Sequence, residues 1–312
     1  MMVDCVLAAV LGGGIIIAFV LMKMIERTKK KSMPQREGPR EETLVNRPII
    51  FYHFGRSWTL PDASPFCVKV ETYFKLKGIE YERRPLNLSL GKKAKSDKRP
   101  FIEISENCKL ISDSSVIIEY FENQSENKNE REREPRLECA VAESSRGWRK
   151  EEELTEIQRA TSHAMRKMLE ESTYWTLVAT RWQNDTNFEG YLPIIQSSMP
   201  NFMPKFVSAL IMRYFARPKV ISSLRAQGYG HHDYDSIQRF GIQDFTALSS
   251  LLANDYFFFN SSVPSLLDVV SFSFVSAFIE PDIPCAIRSH LINQCPNLVR
   301  HSQLILSLIQ PL

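Results

Sequence analysis

The sequence has no CxxC pair. Its six cysteines, Cys5, Cys67, Cys108, Cys139, Cys285 and Cys295, are scattered along 312 residues. That spacing argues against a disulfide framework and for a reducing compartment. An excess of one charge is also missing: 39 Lys and Arg against 36 Asp and Glu leave +3. So small an excess gives no field to attract nucleic acid. The lysines between Ser89 and Arg99 have no aromatic residues among them. They read as a solvated connection rather than a stacking surface for a single strand. Histidine is scarce too. Of six, His231 and His232 lie together beside Asp233. With no second group at zinc spacing they read as a loop, and no metal is expected.

One long uncharged run is present. Cys5 to Met22, CVLAAVLGGGIIIAFVLM, is just long enough to cross a bilayer, which takes ~20 residues. A cleaved signal peptide would want a basic start, but Asp4 precedes the run, and no A-x-A site follows it. A buried core helix is the other reading. Lys23, Arg27, Lys29, Lys30 and Lys31 come next, a stop-transfer pattern that sets the C-terminal side in the cytosol. Those cations also suit anionic headgroups. Residues 1–25 are expected to be a single-pass membrane anchor. Residues 26–46, polar and broken by Pro34, Gly38 and Pro39, are expected to be a flexible basic tether.

The remainder has room for two domains. Arg47-Pro48 opens a strand, Ile49 to Phe54. Ser64-Pro65 is a helix start, with Ser at the cap and Pro at the first position. Phe66, Val70, Tyr73 and Phe74 recur at helical spacing, and Gly78 closes the helix. Glu80 to Leu86 reads as a second strand. Pro100 opens a third with Phe101, Ile102 and Ile104, and Cys108 to Ile111 forms a fourth. Ser112-Asp113-Ser114-Ser115 then caps a helix that turns Val116, Ile117, Tyr120 and Phe121 to one face. Residues 47–123 thus form a β-α-β, β-β-α unit, the thioredoxin-like order. Residues 124–145 are charged, with Glu130 to Glu134 alternating in sign, and read as a linker.

Residues 146–312 read as helical. Arg149 to Trp182 is predicted to be one long helix, with Leu154, Ile157, Thr161, Ala164, Met168, Trp175, Val178 and Trp182 close to a 3.6 repeat. Phe202 to Phe215 is apolar on most sides and is expected to pack within the domain, membrane contact being the other reading. Ser236 to Leu252 is a further helix. Phe257-Phe258-Phe259 is expected in a buried turn. Ser265 with Asp268 three residues on is a capping box opening another helix.

Six stretches carry a resemblance: SPFCVKVE (64–71), RPFIEI (99–104), DSSVIIEYF (113–121), MLEESTYWTLVATRW (168–182), RAQGYGHH (225–232) and FFFNSSVPSLLD (257–268). In that order they are similar to the glutathione S-transferase superfamily, in the branch of the failed-axon-connections proteins, the metaxins and the cadmium-responsive membrane proteins. The resemblance implies a thioredoxin-like N-terminal domain and an all-helical C-terminal domain. It implies a glutathione site in which Arg99 and Pro100 pair with the cysteinyl backbone. Ser114 would hold the γ-glutamyl carboxylate and Asp113 the amine. A helix N-terminus is a ready anion site. It implies an activating residue among Ser64, Tyr52 and Cys67. Omega-type transferases and glutaredoxins begin the SPFC word with cysteine, and this chain begins it with Ser64. Cys67 by itself reads first as a small buried apolar residue. Ser265 and Asp268 are expected to be structural.

Two functional readings stay open. One is a membrane-tethered glutathione transferase acting on small hydrophobic electrophiles. The other is a non-catalytic module with a protein partner, as the branch implies in protein import or axon development. A homodimer is left open.

For the anchor, carbonate extraction of cells expressing the chain should leave it in the membrane pellet, with the C-terminus open to protease added to sealed cytosol-side-out vesicles. Release into the soluble fraction would contradict the anchor.

Overall fold

A computed structural model describes residues 49–55, 57–85, 100–104, 109–126, 147–197, 199 and 203–310. The expected anchor, the tether, the linker core and Arg99 lie outside the described residues. Among the described residues no helix is long and apolar enough to cross a membrane. The described residues form one compact unit.

The sheet comprises β1 (Ile49–His53), β2 (Tyr81–Pro85), β3 (Phe101–Ile104) and β4 (Lys109–Ser112), in the order β2-β1-β3-β4. β1 pairs parallel with β2 and antiparallel with β3, which pairs antiparallel with β4. Between β1 and β2 runs α1 (Pro65–Lys77). It ends at Gly78, whose φ of 67° is the left-handed turn glycine adopts at little cost. After β4 comes α2 (Ser114–Glu126), which continues beyond the expected boundary at 123. Strand alternation divides the sheet into two faces. Ile49, Phe51, Ile102, Ile104 and Ile111 join α1 and α2 in the larger core, while Ile50, Tyr52 and Phe101 form a separate cluster with Leu110. On α2, Ile117 and Ile118 are buried, and Val116, expected inward, is 49% exposed.

The expected single helix from Arg149 to Trp182 is in fact several pieces. A 3-10 turn (Glu151–Glu153) precedes Leu154, which is extended. Then α3 (Glu156–Lys167) starts at Thr155. Thr155 Oγ1 accepts the Gln158 N–H at 3.2 Å and Gln158 Oε1 accepts the Thr155 N–H at 3.1 Å. This reciprocal cap makes Thr155, not Arg149, the start. A π-helical segment (Met168–Thr173) joins α3 to α4 (Tyr174–Trp182). Its extra residue per turn shifts the phase between α3 and α4. Ile157, expected inside, is in the first turn of α3 and is 79% exposed.

There follow α5 (Asp185–Ser197), α6 (Lys205–Ile211), a second π segment (Met212–Ala216), α7 (Arg217–Ala226), a 3-10 turn (Tyr229–His231), and α8 (Tyr234–Leu252) capped by Asp233. Next are α9 (Leu266–Ile279), α10 (Ala286–Gln294) and α11 (Pro296–Ile309). The stretch expected to pack around Phe202–Phe215 does so on one side only: Phe206, Tyr214 and Phe215 are about 70% exposed.

Every residue of α9 from Leu267 to Phe278 is buried, as in a helix enclosed on all sides. Val269 and Phe272 of α9, with Ile305 and Ile309 of α11, enter the core shared with α1 and the sheet. The start of α9 is the expected capping box, and more. Asp268 Oδ2 accepts the Ser265 N–H at 2.8 Å and the Ser265 hydroxyl at 2.7 Å. Asp268 Oδ1 takes the Phe258 N–H at 3.0 Å and meets His301 Nε2 of α11 at 2.9 Å. Phe257 and Phe258 are buried in the turn so held, as expected.

Asp268→Ala would strand all four groups inside the core. Urea unfolding should show a loss of ~3–5 kcal/mol, the scale for breaking a buried charged hydrogen-bond partner. A loss below the ~0.5–2 kcal/mol of an ordinary cap would show that the network beyond Ser265 contributes nothing.

Candidate functional site

Two helix N-termini, those of α1 and α2, carry most of the candidate residues. The first is built from the loop after β1. Asp62 has no exposed surface. Its Oδ2 accepts the Phe54 N–H at 2.9 Å and its Oδ1 the Ser64 N–H at 2.8 Å. Arg181 on α4, also buried, donates from Nη1 to the Ala63 carbonyl at 2.8 Å and from Nη2 to the Ala277 carbonyl of α9 at 3.0 Å. Ser64 is therefore fixed by its own chain and by the helical part together. It stands at the N-cap, yet its hydroxyl caps none of the α1 amides; it contacts the Cys67 thiol.

Cys67 is fully buried. Burial pushes its thiol well up, and the Asp62 carboxylate adds to the shift. A thiol so placed stays protonated and enclosed. Tyr52 points to the opposite sheet face. Its hydroxyl donates to Glu103 Oε2 at 2.7 Å, and burial together with that carboxylate pushes it up to about 12. The structure thus brings Ser64 and Cys67 together and holds Tyr52 apart from them.

The second N-terminus joins Pro100, Asp113 and Ser114. The Pro100 carbonyl accepts the Asp113 N–H at 3.2 Å. Asp113 has a φ of 80°, rare outside glycine, and its Oδ1 accepts the Ser115 N–H at 2.9 Å. Into this corner comes a side chain absent from the candidates that motif and spacing suggest. Lys69, on α1 and 2% exposed, places Nζ 3.3 Å from Ser114 Oγ, 3.1 Å from Ser115 Oγ and 2.5 Å from Glu170 Oε1 of the π segment. Burial lowers the Lys69 pKa, and Glu170 is the largest opposing influence. Because an ammonium only donates, the serine oxygens accept from it and their own hydrogens remain available to an incoming anion. A cation and two hydroxyls at the N-terminus of α2, where Asp113 already takes the Ser115 N–H, make an anion site of good chemistry.

Lys69, Glu170, Asp62 and Arg181 are all absent from the site residues that the resemblance implies, although Lys69, Glu170 and Arg181 lie within its matching stretches. A signal for Lys69 exists: it lies three residues after Phe66 and four before Tyr73, within the apolar face of α1. Asp62 and Arg181 have none, since their partners are backbone groups.

The RAQGYGHH stretch ends α7. Gly228 has a φ of 91°, and a Cβ on Gly230 would strike the Arg225 backbone. The bend turns Tyr229 and His232 toward Phe240 and Asp244, around a cleft of about 410 Å³. Among the described residues no group of three or more His, Cys, Asp or Glu could hold a metal.

Similarity to known proteins agrees with this geometry. Residues 65–142 match the glutathione S-transferase N-terminal domain, and residues 241–305 match the glutathione S-transferase C-terminal domain. The chain belongs to the glutathione S-transferase superfamily. Within the superfamily it is 30% identical to Failed axon connections of Drosophila melanogaster over 284 residues, covering 88% of this chain and 61% of that protein. The chain thus spans about three-fifths of that relative. It is also 27% identical to the isoprene-epoxide–glutathione S-transferase of Rhodococcus sp. strain AD45, over 70% of this chain and 82% of that enzyme. Among solved structures, glutathione transferase GSTFuA3 of Phanerochaete chrysosporium superposes with a TM-score of 0.54 at 13% identity, covering 86% of this chain and 99% of that one. That likeness concerns the fold.

Asp62 generates a pH prediction. Burial raises its carboxyl from 3.8 to about 6. The folded protein then holds this proton more firmly than the unfolded chain. Its contribution is full below about pH 4 and is lost as pH climbs through about 6, ~3 kcal/mol in all. Asp62→Asn cannot ionise. Unfolding free energies should therefore converge on the variant's as pH rises from 4 to 6 and run parallel above 7. Parallel curves throughout would show that the carboxyl is ionised in the fold across that range.

Proposed function

We propose that this chain is a membrane-tethered glutathione-binding protein that conjugates glutathione to small hydrophobic electrophiles. The observation that carries the reading is the Lys69 ammonium against Ser114 and Ser115 at the N-terminus of α2. A γ-glutamyl carboxylate suits that corner. Its amine suits Asp113, as the resemblance implies, and Glu170 beside Lys69 offers a second carboxylate. The sulfur would then lie toward the start of α1, where free amides and the Ser64 hydroxyl favour a thiolate. The name of the Rhodococcus relative, an epoxide–glutathione transferase, supports an electrophile as co-substrate. The uncharged run before residue 25 supports the tether.

A second reading has its own observation. Of three candidate activating groups, Tyr52 is bound to Glu103 and Cys67 is enclosed with its thiol pushed up. That leaves Ser64, beside the buried Asp62 carboxylate, which opposes a nearby thiolate when ionised. A chain that keeps the binding corner and lacks turnover is a ligand-responsive interaction module; the Drosophila relative's name concerns axon connections and no reaction.

Calorimetry with glutathione separates the readings from their common premise. Binding is expected, with Lys69→Met weakening it at least tenfold and Asp113→Ala weakening it also. Ser64→Ala should keep affinity and slow conjugation of a standard aromatic electrophile by about 100-fold, the lower range for one activating group. Binding without conjugation in the parent chain supports the module. No binding at all would overturn both.

A further inference from the structure

One surface lies outside everything described so far. Eight large hydrophobic residues are exposed among the described residues, and four of them fall within ten positions: Phe206 at 69%, Leu210 at 40%, Tyr214 at 69% and Phe215 at 71%. Phe206, Leu210 and Tyr214 succeed one another at four-residue spacing, which sets them on one face of the helix begun by α6. The π segment Met212–Ala216 adds a residue to its turn and brings Phe215 round toward the same stripe. The opposite face is already used. Ser208 and Met212 are buried, and Met212, Ala209 and Ile211 pack with Phe188 and Leu192 of α5. The exposed stripe is therefore no leftover of an unpacked helix. Lone exposed apolar residues are ordinary, but a contiguous stripe three turns long is a contact surface.

Its charge says what it meets. Between Glu189 and Asp233 the chain has no acidic residue and five basic ones: Lys205, Arg213, Arg217, Lys219 and Arg225. Arg213 pairs with Glu189 and Arg217 with Asp185. Lys205, Lys219 and Arg225 have no ion-pair partner among the described residues. The chain as a whole carries only +3, so this segment concentrates positive charge that the rest of the molecule balances. A second copy of the same surface would be repelled by these cations. An acidic protein groove would suit the charge but would need to be long, straight and apolar at once.

We infer that the outer face of α6 and the π segment lies in the headgroup layer of an anionic lipid leaflet, with Phe206, Leu210, Tyr214 and Phe215 as the inserted groups and Lys205 and Lys219 against lipid phosphate and carboxylate. Aromatic and aliphatic side chains on one face and lysine or arginine around them are the pattern of helices that lie in a bilayer interface. Such a helix sinks ~5–10 Å, a depth that Phe and Tyr side chains reach from a helix resting on the surface. Each Lys or Arg near an anionic surface adds to the attraction within a Debye length. The inference does not depend on the uncharged run at residues 5–22.

Hydroxyl-radical footprinting of the full chain reads the side chains one by one. The full chain is added to vesicles of phosphatidylcholine alone or of phosphatidylcholine with phosphatidylserine. Oxidation of Phe206, Tyr214 and Phe215 should fall at least threefold with phosphatidylserine, stay high with phosphatidylcholine alone, and recover in concentrated salt. Tyr256 and Ile157, exposed elsewhere, should not change. Lys205→Glu with Lys219→Glu, both at exposed positions, should abolish the protection while the thermal melt is kept. Equal oxidation with and without phosphatidylserine would overturn the inference. So would protection that grows with protein concentration in the absence of lipid, which would show a second copy on this face. Protection by an acidic polypeptide such as polyglutamate but by neither vesicle would equally overturn it, in favour of a protein partner.

Discussion

Asp268 is the carboxylate on which the arrangement depends. It is fully buried, and each of its oxygens has two partners. A carboxylate taken from water without such partners costs several kcal/mol. The four groups that meet it come from three places in the chain: Ser265 at the start of α9, Phe258 in the preceding turn, and His301 on α11. Satisfying Asp268 therefore fixes the entry of α9, closes the aromatic turn and draws α11 alongside. α9 in turn carries Val269 and Phe272 into the core of the sheet domain. A helix cap, which in most proteins is a local device, here sets the relation of the two halves.

The same logic runs through the seam between those halves, where charged groups do what apolar packing alone would not. Arg181 joins the Ala63 carbonyl to the Ala277 carbonyl, and Lys69 joins the serines of α2 to Glu170. Each bridge has one end in the sheet domain and one in the helical domain. Buried charge is expensive unless paired, so these contacts give strict geometry rather than much net stability. The start of α1 and the corner at α2 are complete only when the helical domain is docked, because Arg181 and Glu170 belong to it. A ligand held at Lys69 would report on that docking and would be felt by it.

The candidate site and the basic-apolar face share one chain feature, a π segment. The first, Met168–Thr173, carries Glu170 to Lys69 and Ser172 and Thr173 to Asp244. The second, Met212–Ala216, widens the exposed stripe. An added residue per turn rotates the next stretch of helix, so each segment presents side chains that a continuous α-helix would have turned elsewhere. An unbroken 3.6 repeat from Arg149 to Trp182 cannot keep one face across the first segment for this reason.

Six ordered stretches carried the resemblance to the superfamily, and with it the pairing of Pro100 with Asp113-Ser114; the sequence by itself determined the strands and helices of the sheet domain and the capping box at Ser265 and Asp268. These are written in local patterns: alternation, helical spacing, cap residues and punctuation by Gly and Pro, all of which act within a few residues. Tertiary structure alone decided that Tyr52 turns from Ser64 to Glu103, that Cys67 is enclosed, that Lys69 reaches both serines, and that the α6 stripe faces outward. Those outcomes depend on partners 45 to 101 positions away for Lys69 and 51 for Tyr52, and no local spacing encodes a partner at that distance. Burial and ion pairing are properties of the packed chain, and they choose among side chains that the local pattern leaves equivalent.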